Sequence, residues 1–195
     1  MNYKNAFSTA LVLFSCTAFA QQNLISIAGG SSSATLKERD TKASGWRISG
    51  LYEFNKAQGK FAHGIGVGYF SLSGSATYTG QVAGNPAEVT TDYDVTSVPV
   101  YYSPKLFLGK SESFKIYINL MAGVQFSNFT ARTTNLEGKV TASDAGFYGG
   151  GGVGLIYTIK NKYFISGGYE FSYLSNGYYS DGIMNSFLLG LGLRF

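Results

Sequence analysis

Cysteine, charge and long hydrophobic runs are all scarce in this 195-residue sequence. Cys16 is the only cysteine, so the chain cannot form an internal disulfide. Charged residues make up 13% of the chain, about half of what soluble domains carry. Yet no window after residue 20 holds the roughly 18 apolar residues that a membrane helix requires. The apolar residues are therefore expected to be spread over alternate positions of strands, not concentrated in helices.

The first twenty residues, 1–20, have the pattern of a secretory signal peptide. A polar start with one charge, Lys4, precedes the mostly apolar segment 6–19, and Ala18-Phe-Ala20 matches a small-x-small cleavage site. The apolar segment is too short for a spanning helix with flanks. The alternative is a lipoprotein processing site, which Leu13-Phe-Ser-Cys16 resembles, although its bulky phenylalanine fits poorly. We expect cleavage after Ala20.

A single mature domain, residues 21–195, then remains, as the length predicts. Its net charge falls from +4 to +3 when Lys4 is removed, and no basic run with interleaved aromatics is present. A net positive charge of this size is too small to indicate nucleic acid as a partner. Because Cys16 leaves with the signal, the mature domain has no thiol for redox chemistry.

The last nine residues alternate between a wholly apolar face and a face rich in glycine. The apolar face consists of Phe187, Leu189, Leu191, Leu193 and Phe195. A side-chain period of two is typical of a strand. At this point the sequence resembles the bacterial outer-membrane β-barrels, whose last strand alternates in the same way and ends in Phe. The resemblance implies that this apolar face turns to lipid and that the five residues are the assembly signal read by the outer-membrane insertion machinery.

Turn signals divide the mature chain into eight segments with strand-like alternation. Short turns alternate with longer polar stretches along the chain. The short turns are 55–60, 109–112 and 160–162. The longer polar stretches, which we predict to be loops, are 37–43, 79–91, 130–144 and 175–181. We therefore predict an all-β fold, an eight-stranded antiparallel up-and-down transmembrane β-barrel, similar to the OmpA/OmpX-type barrels. Lipid requires closure, because an open edge would leave backbone groups unsatisfied in hydrocarbon.

Strand parity places five charged residues inside this predicted barrel: Arg47, Glu53, Lys115, Glu170 and Arg194. Arg47 and Glu170 lie equally far above their periplasmic turns, so we expect them to pair in an upper tier. Glu53 is expected to meet Arg194 or Lys115 in a lower tier. Unpaired charges in a narrow lumen are costly, which favours a structural charge network. The alternative is that each charge is solvated separately in a wet lumen.

One segment resembles part of an enzyme active site. Outer-membrane lipid A deacylases are barrels of this size with a His-x-Ser-Asn-like segment late in the chain. Here Tyr173-Leu-Ser175-Asn176 occupies that position, with tyrosine in place of the histidine. A tyrosine phenol is not a general base near neutral pH. His63, the only histidine, falls at the opposite end of the barrel on an outward face. We predict no catalytic residues and no enzyme activity.

Two further patterns are weak candidates for binding a ligand. Glu88, Asp92 and Asp94 could offer oxygens to calcium, but they lack the spacing of a calcium loop and are more typical of a solvated rim. The Gly149–Gly152 run lacks the Lys-Ser/Thr ending and the helix of a phosphate loop. We therefore predict no metal site and no cofactor.

Three classes of function stay open on this sequence. We favour an outer-membrane protein of a Gram-negative cell surface with a structural or surface-interaction role, which presents its polar loops to an extracellular ligand. The alternatives are a lipid-modifying enzyme and a narrow, porin-like pore or carrier for small apolar molecules. Eight strands leave an interior that side chains nearly fill, which argues against a wide channel. We expect a monomer in contact with outer-membrane lipid.

Overall fold

A computed structural model describes residues 21–56, 60–82, 85–109, 111, 113–134 and 138–195. The predicted signal peptide and its cleavage site lie outside these residues, except for the new amino terminus, Gln21. Among the described residues, no helix is long and apolar enough to cross a membrane.

Eight antiparallel strands form one closed barrel, in which each strand pairs with the next and the last pairs with the first. The strands are β1 Gln21–Leu36, β2 Thr41–Lys56, β3 Phe61–Val82, β4 Asn85–Leu108, β5 Phe114–Thr133, β6 Lys139–Ile159, β7 Tyr163–Leu174 and β8 Tyr179–Arg194. A single 3₁₀ turn, Glu38–Asp40, joins β1 to β2. The predicted fold class is confirmed.

The outer wall carries a band of exposed apolar side chains. On β8 alone, Phe187, Leu189 and Leu191 are 65%, 74% and 62% exposed. Exposing so continuous an apolar surface to water is unfavourable, whereas the acyl chains of a bilayer cover it. Aromatic pairs lie where the band gives way to polar side chains: the ring centroids of Trp46 and Tyr69 are 5.2 Å apart. Such pairs are typical of the membrane–water interface.

Two of the four polar stretches predicted as loops are largely strand, and that part of the prediction was wrong. β3 and β4 stay paired up to Val82 and Asn85, and β5 and β6 up to Arg132 and Lys139. Threonine recurs in both stretches, and it favours strands even where both faces are polar. The other two connections are shorter than predicted, because β2 begins at residue 41 and β8 at residue 179.

The four long strands therefore continue above their neighbours. β2 pairs with β3 only as far as Ser73, and β7 pairs with β6 only as far as Tyr148. Residues 74–82, 85–93, 131–133 and 139–147 consequently form an open sheet on the extracellular side, which we name the protruding sheet. It places two free strand edges outside the membrane, one on β3 and one on β6.

Candidate functional site: the lumen and the protruding sheet

The upper part of the lumen contains a buried ion pair. Arg47 Nη2 lies 3.1 Å from Glu170 Oε2, and the arginine side chain is fully buried. Asn119 Nδ2 donates to Glu170 Oε1 at 3.4 Å, and the ring of Tyr148 lies 5.9 Å from the guanidinium carbon. The structure thus brings together the two residues that strand parity placed in the upper tier.

The lower ion pair differs from the predicted one. Lys105 Nζ lies 2.8 Å from Glu53 Oε1, so the expected partners of Glu53, Arg194 and Lys115, were wrong. The pair reaches across β3 at Gly64, where a Cβ atom would lie 3.2 Å from Glu53 Cγ. Lys105 follows Ser-Pro in the sequence, and β4 continues past it to Leu108 and turns its side chain inward.

Arg194 and Lys115 take other positions at the periplasmic end of the lumen. Neither makes a salt bridge within the described part of the chain. Lys115 is half-buried, with its Nζ 5.9 Å from the centre of the Phe107 ring. Arg194 keeps a buried Nε without a hydrogen-bond partner. The lower tier is therefore one pair with two further cations beneath it.

Apolar layers close the lumen on both sides of the ion pairs. The upper layer includes Phe70, Leu72, Val95, Met121 and Met184. The lower layer consists of Leu24, Ala62, Phe107, Tyr117, Ile156 and Phe164. Between them, a cavity of about 50 Å³ touches Lys105 and Glu170, which is room for a few water molecules only. The described side chains thus occupy most of the barrel interior between the two apolar layers.

The β7–β8 connection caps the extracellular mouth. Asn176 is buried, and its Nδ2 donates to Ser127 Oγ at 2.7 Å. The ring of Tyr178 stacks on Phe129 with centroids 5.2 Å apart. Burial, and secondarily the Asp144 carboxylate, raises the pKa of Tyr178. The connection is folded onto the lumen and is not a freely presented loop.

The residues weighed as a hydrolase site do not meet. Ser175 follows the extracellular end of β7, where its Oγ accepts a hydrogen bond from the Phe147 backbone N–H at 2.6 Å. His63 lies near the periplasmic start of β3, on the outer wall. It stacks between Phe54 and Tyr102 and is hydrogen-bonded to the Tyr102 hydroxyl. A Ser–His dyad requires direct contact, which these positions exclude.

The acidic residues of β4 lie on the outer face of the sheet. Asp94 Oδ1 accepts a hydrogen bond from Ser73 Oγ at 2.6 Å, and Asp92 is paired in register with Arg132. In the part of the chain that the structure describes, no three His, Cys, Asp or Glu side chains are grouped to hold a metal ion. The Asp94 carboxylate is thus held by a serine of the neighbouring strand.

The β3 edge of the protruding sheet, residues 74–82, is a free strand edge on the extracellular side. Residues 74–82, Gly-Ser-Ala-Thr-Tyr-Thr-Gly-Gln-Val, contain no charge and no proline. Beyond Ser73, no described strand pairs with this edge. Exposed edges are usually protected by lysine, proline or a bulge. The β6 edge has such protection from Lys139 and Asp144, whereas residues 74–82 of the β3 edge contain none, and the Arg39 guanidinium of the β1–β2 turn covers Tyr78.

Closed topology, an apolar outer band and a filled lumen define a small transmembrane β-barrel. The sequence matches the outer membrane protein beta-barrel domain family over residues 6–195, so the chain belongs to that family. The resemblance seen in the last strand is thereby confirmed, and the family places the protein in the bacterial outer membrane. No curated protein sequence matches the chain.

Several solved structures share the fold. Neisserial surface protein A is 12% identical with a TM-score of 0.59, and the match covers 89% of this chain and 97% of that one. Ail of Yersinia pestis, solved with the heparin analogue sucrose octasulfate, is 18% identical with a TM-score of 0.50, covering 90% and 99%. OprG of Pseudomonas aeruginosa is 14% identical with a TM-score of 0.50, covering 90% and 97%. At these identities the likeness concerns the fold alone.

Proposed function

We propose that the protein acts at the cell surface by binding an extended segment of a partner protein along the β3 edge of the protruding sheet. The observation that carries this proposal is the unprotected edge at residues 74–82. An added strand would pair with its free backbone N–H and C=O groups, which is the β-augmentation mode of peptide recognition. At about 3.3 Å per residue the edge offers roughly 30 Å for pairing.

The side chains beside the edge supply the chemistry for selectivity. Ser75, Thr77 and Thr79 point to the outer face, where they offer hydroxyl groups. On the other face, the Arg39 guanidinium carbon lies 3.6 Å above the ring of Tyr78. A partner segment with an acidic side chain opposite Arg39 fits this surface best, because that charge would be complementary.

A second copy of the chain in the same membrane fits the edge poorly. Barrel strands tilt by about 35–45° from the membrane normal. Two barrels related by a two-fold axis along that normal would cross their β3 edges at roughly 80°, twice the tilt, so the strands could not pair. This geometry supports a monomer that binds a flexible partner segment.

Selection of peptides on the purified protein in nanodiscs tests the proposal. Peptides from a displayed library of extended segments should slow amide exchange at residues 74–82. The edge variant Thr77→Lys/Thr79→Lys should weaken their binding at least tenfold, since edge lysines oppose strand addition. The matched control is Thr90→Lys/Glu88→Lys, which changes their register partners on the inner strand β4. Equal binding to both variants, or protection elsewhere, would refute the proposal.

A further inference from the structure

A polar notch lies on the outer wall where β8, β1 and β2 leave the apolar band. It has a volume of about 390 Å³ and is lined by Ser33, Thr35, Lys42, Ser44, Asp181 and Asn185, among others. Its side chains belong to the extracellular ends of the strands, next to the aromatic pair Tyr169–Phe187. The notch therefore sits at head-group level in the outer leaflet.

The polar groups of the notch are oriented and available. Asn185 Oδ1 accepts the hydroxyl of Tyr169 at 2.5 Å, which leaves its Nδ2 as a free donor. Asp181 Oδ1 accepts the Ile183 backbone N–H at 2.9 Å, which leaves its second oxygen as an acceptor. Lys42 makes no salt bridge within the described residues, although Asp181 lines the same notch. The notch thus offers hydroxyls, an amide, a carboxylate and one unpaired cation.

An apolar groove lies directly beneath the notch. It has a volume of about 740 Å³, and Gly29, Gly167, Phe187 and Leu189 are among the residues that line it. Gly29 and Gly167 both pair in register with Leu189 from opposite sides. The side chain of Leu189 therefore stands between two residues that have no side chain, and it is 74% exposed.

The notch and the groove follow one another along two neighbouring strands, with no lining residue in common. On β1, Gly29 and Ser31 line the groove and Ser33 lines the notch, all on the same face. On β8, Phe187 lines the groove and Asn185 lines the notch. A molecule that occupied both would have a polar end at the interface and an apolar chain in the bilayer.

We propose that this surface binds a phosphorylated glycolipid of the outer leaflet, of the lipopolysaccharide type. Its saccharide would occupy the notch, with a phosphate on Lys42, and one acyl chain would follow the groove at Gly29. A saccharide matches the mixture of donors and acceptors, and its hydroxyls donate to Asp181, which a bare phosphate would not do. The site does not include the protruding sheet, so it is independent of the proposed function.

Native mass spectrometry of the folded barrel with hexa-acylated, bisphosphorylated lipid A tests the site, with phosphatidylglycerol as the comparison lipid. Gly29→Val should fill the groove, since its Cβ would meet nothing closer than the Arg47 carbonyl oxygen at 3.5 Å. The matched control is Gly50→Val, another outward glycine, whose Cβ has its nearest contact at 4.0 Å. Heat-modifiable migration verifies that each variant is folded.

Wild type and Gly50→Val should bind lipid A at least tenfold more tightly than Gly29→Val does. Lys42→Gln should weaken binding of bisphosphorylated lipid A at least fivefold and leave binding of its dephosphorylated form unchanged. The proposal is overturned if phosphatidylglycerol binds as tightly as lipid A. It is equally overturned if Gly29→Val binds lipid A like Gly50→Val, or if Lys42→Gln has no effect.

Discussion

Arg47 on β2 and Glu170 on β7 form an ion pair of 3.1 Å across the lumen, although β1 and β8 separate their strands in the barrel. The pair crosses the seam where the first strand meets the last. It therefore joins parts of the wall that the chain order keeps far apart. Because Arg47 is fully buried, its charge depends on this partner and on the Tyr148 ring.

Removing one member of this pair should destabilise the barrel. We expect Arg47→Gln to lower the free energy of unfolding by about 3–5 kcal/mol, because Glu170 is left without its counter-charge. The double variant Arg47→Gln/Glu170→Gln should recover part of that loss. Urea unfolding in lipid vesicles measures both. Lys115→Gln serves as the control, since Lys115 makes no salt bridge within the described residues. A loss for Arg47→Gln no larger than the control's would contradict a stabilising pair.

Strand parity could predict Arg47 and Glu170 because it depends only on alternation within each strand. It could not predict Lys105 as the partner of Glu53. That contact depends on the stagger of β2 against β4 and on the space at Gly64, neither of which a local pattern contains.

The surface features could not be predicted from the sequence either. The polar composition of residues 79–91 favours a loop, whereas pairing between β3 and β4 makes residues 79–82 and 85–91 strand. The notch at Ser33 and Asn185 forms only where β8 closes against β1. Alternation predicts which side chains face outward, but the barrel closure decides which of them become neighbours.

Loss of the terminal residue should impair assembly. The backbone N–H groups of Phe195 and Asn23 each donate to the other's carbonyl at 2.9 Å, which closes the periplasmic end of the β1–β8 seam. Deleting Phe195 removes both bonds and an exposed aromatic anchor, so the heat-modifiable folded form in membranes should decrease. Leu189→Ala, a truncation within the same apolar face, should have a smaller effect. Equal yields of wild type and the deletion would count against Phe195 as part of the assembly signal.

The amino terminus of the mature protein should be Gln21. Removal of residues 1–20 gives a defined mass for membrane-extracted protein, which intact mass spectrometry determines. Ala20→Phe should block cleavage at this site, because the small-x-small pattern is lost. Recovery of a lipid-modified Cys16 as the first residue would show lipoprotein processing instead.

The filled lumen should not conduct. Apolar layers above and below the ion pairs leave a cavity of about 50 Å³, which is too small to join the two sides of the membrane. Purified barrel in planar bilayers should therefore show no steady ionic current, while a wide porin measured alongside shows open steps. Truncation of Phe70 and Met121 to alanine would thin the upper layer only, so the lower layer should still block current. Stable conductance steps from the wild-type barrel would contradict this prediction, because the lumen side chains would then have to pack differently in a membrane.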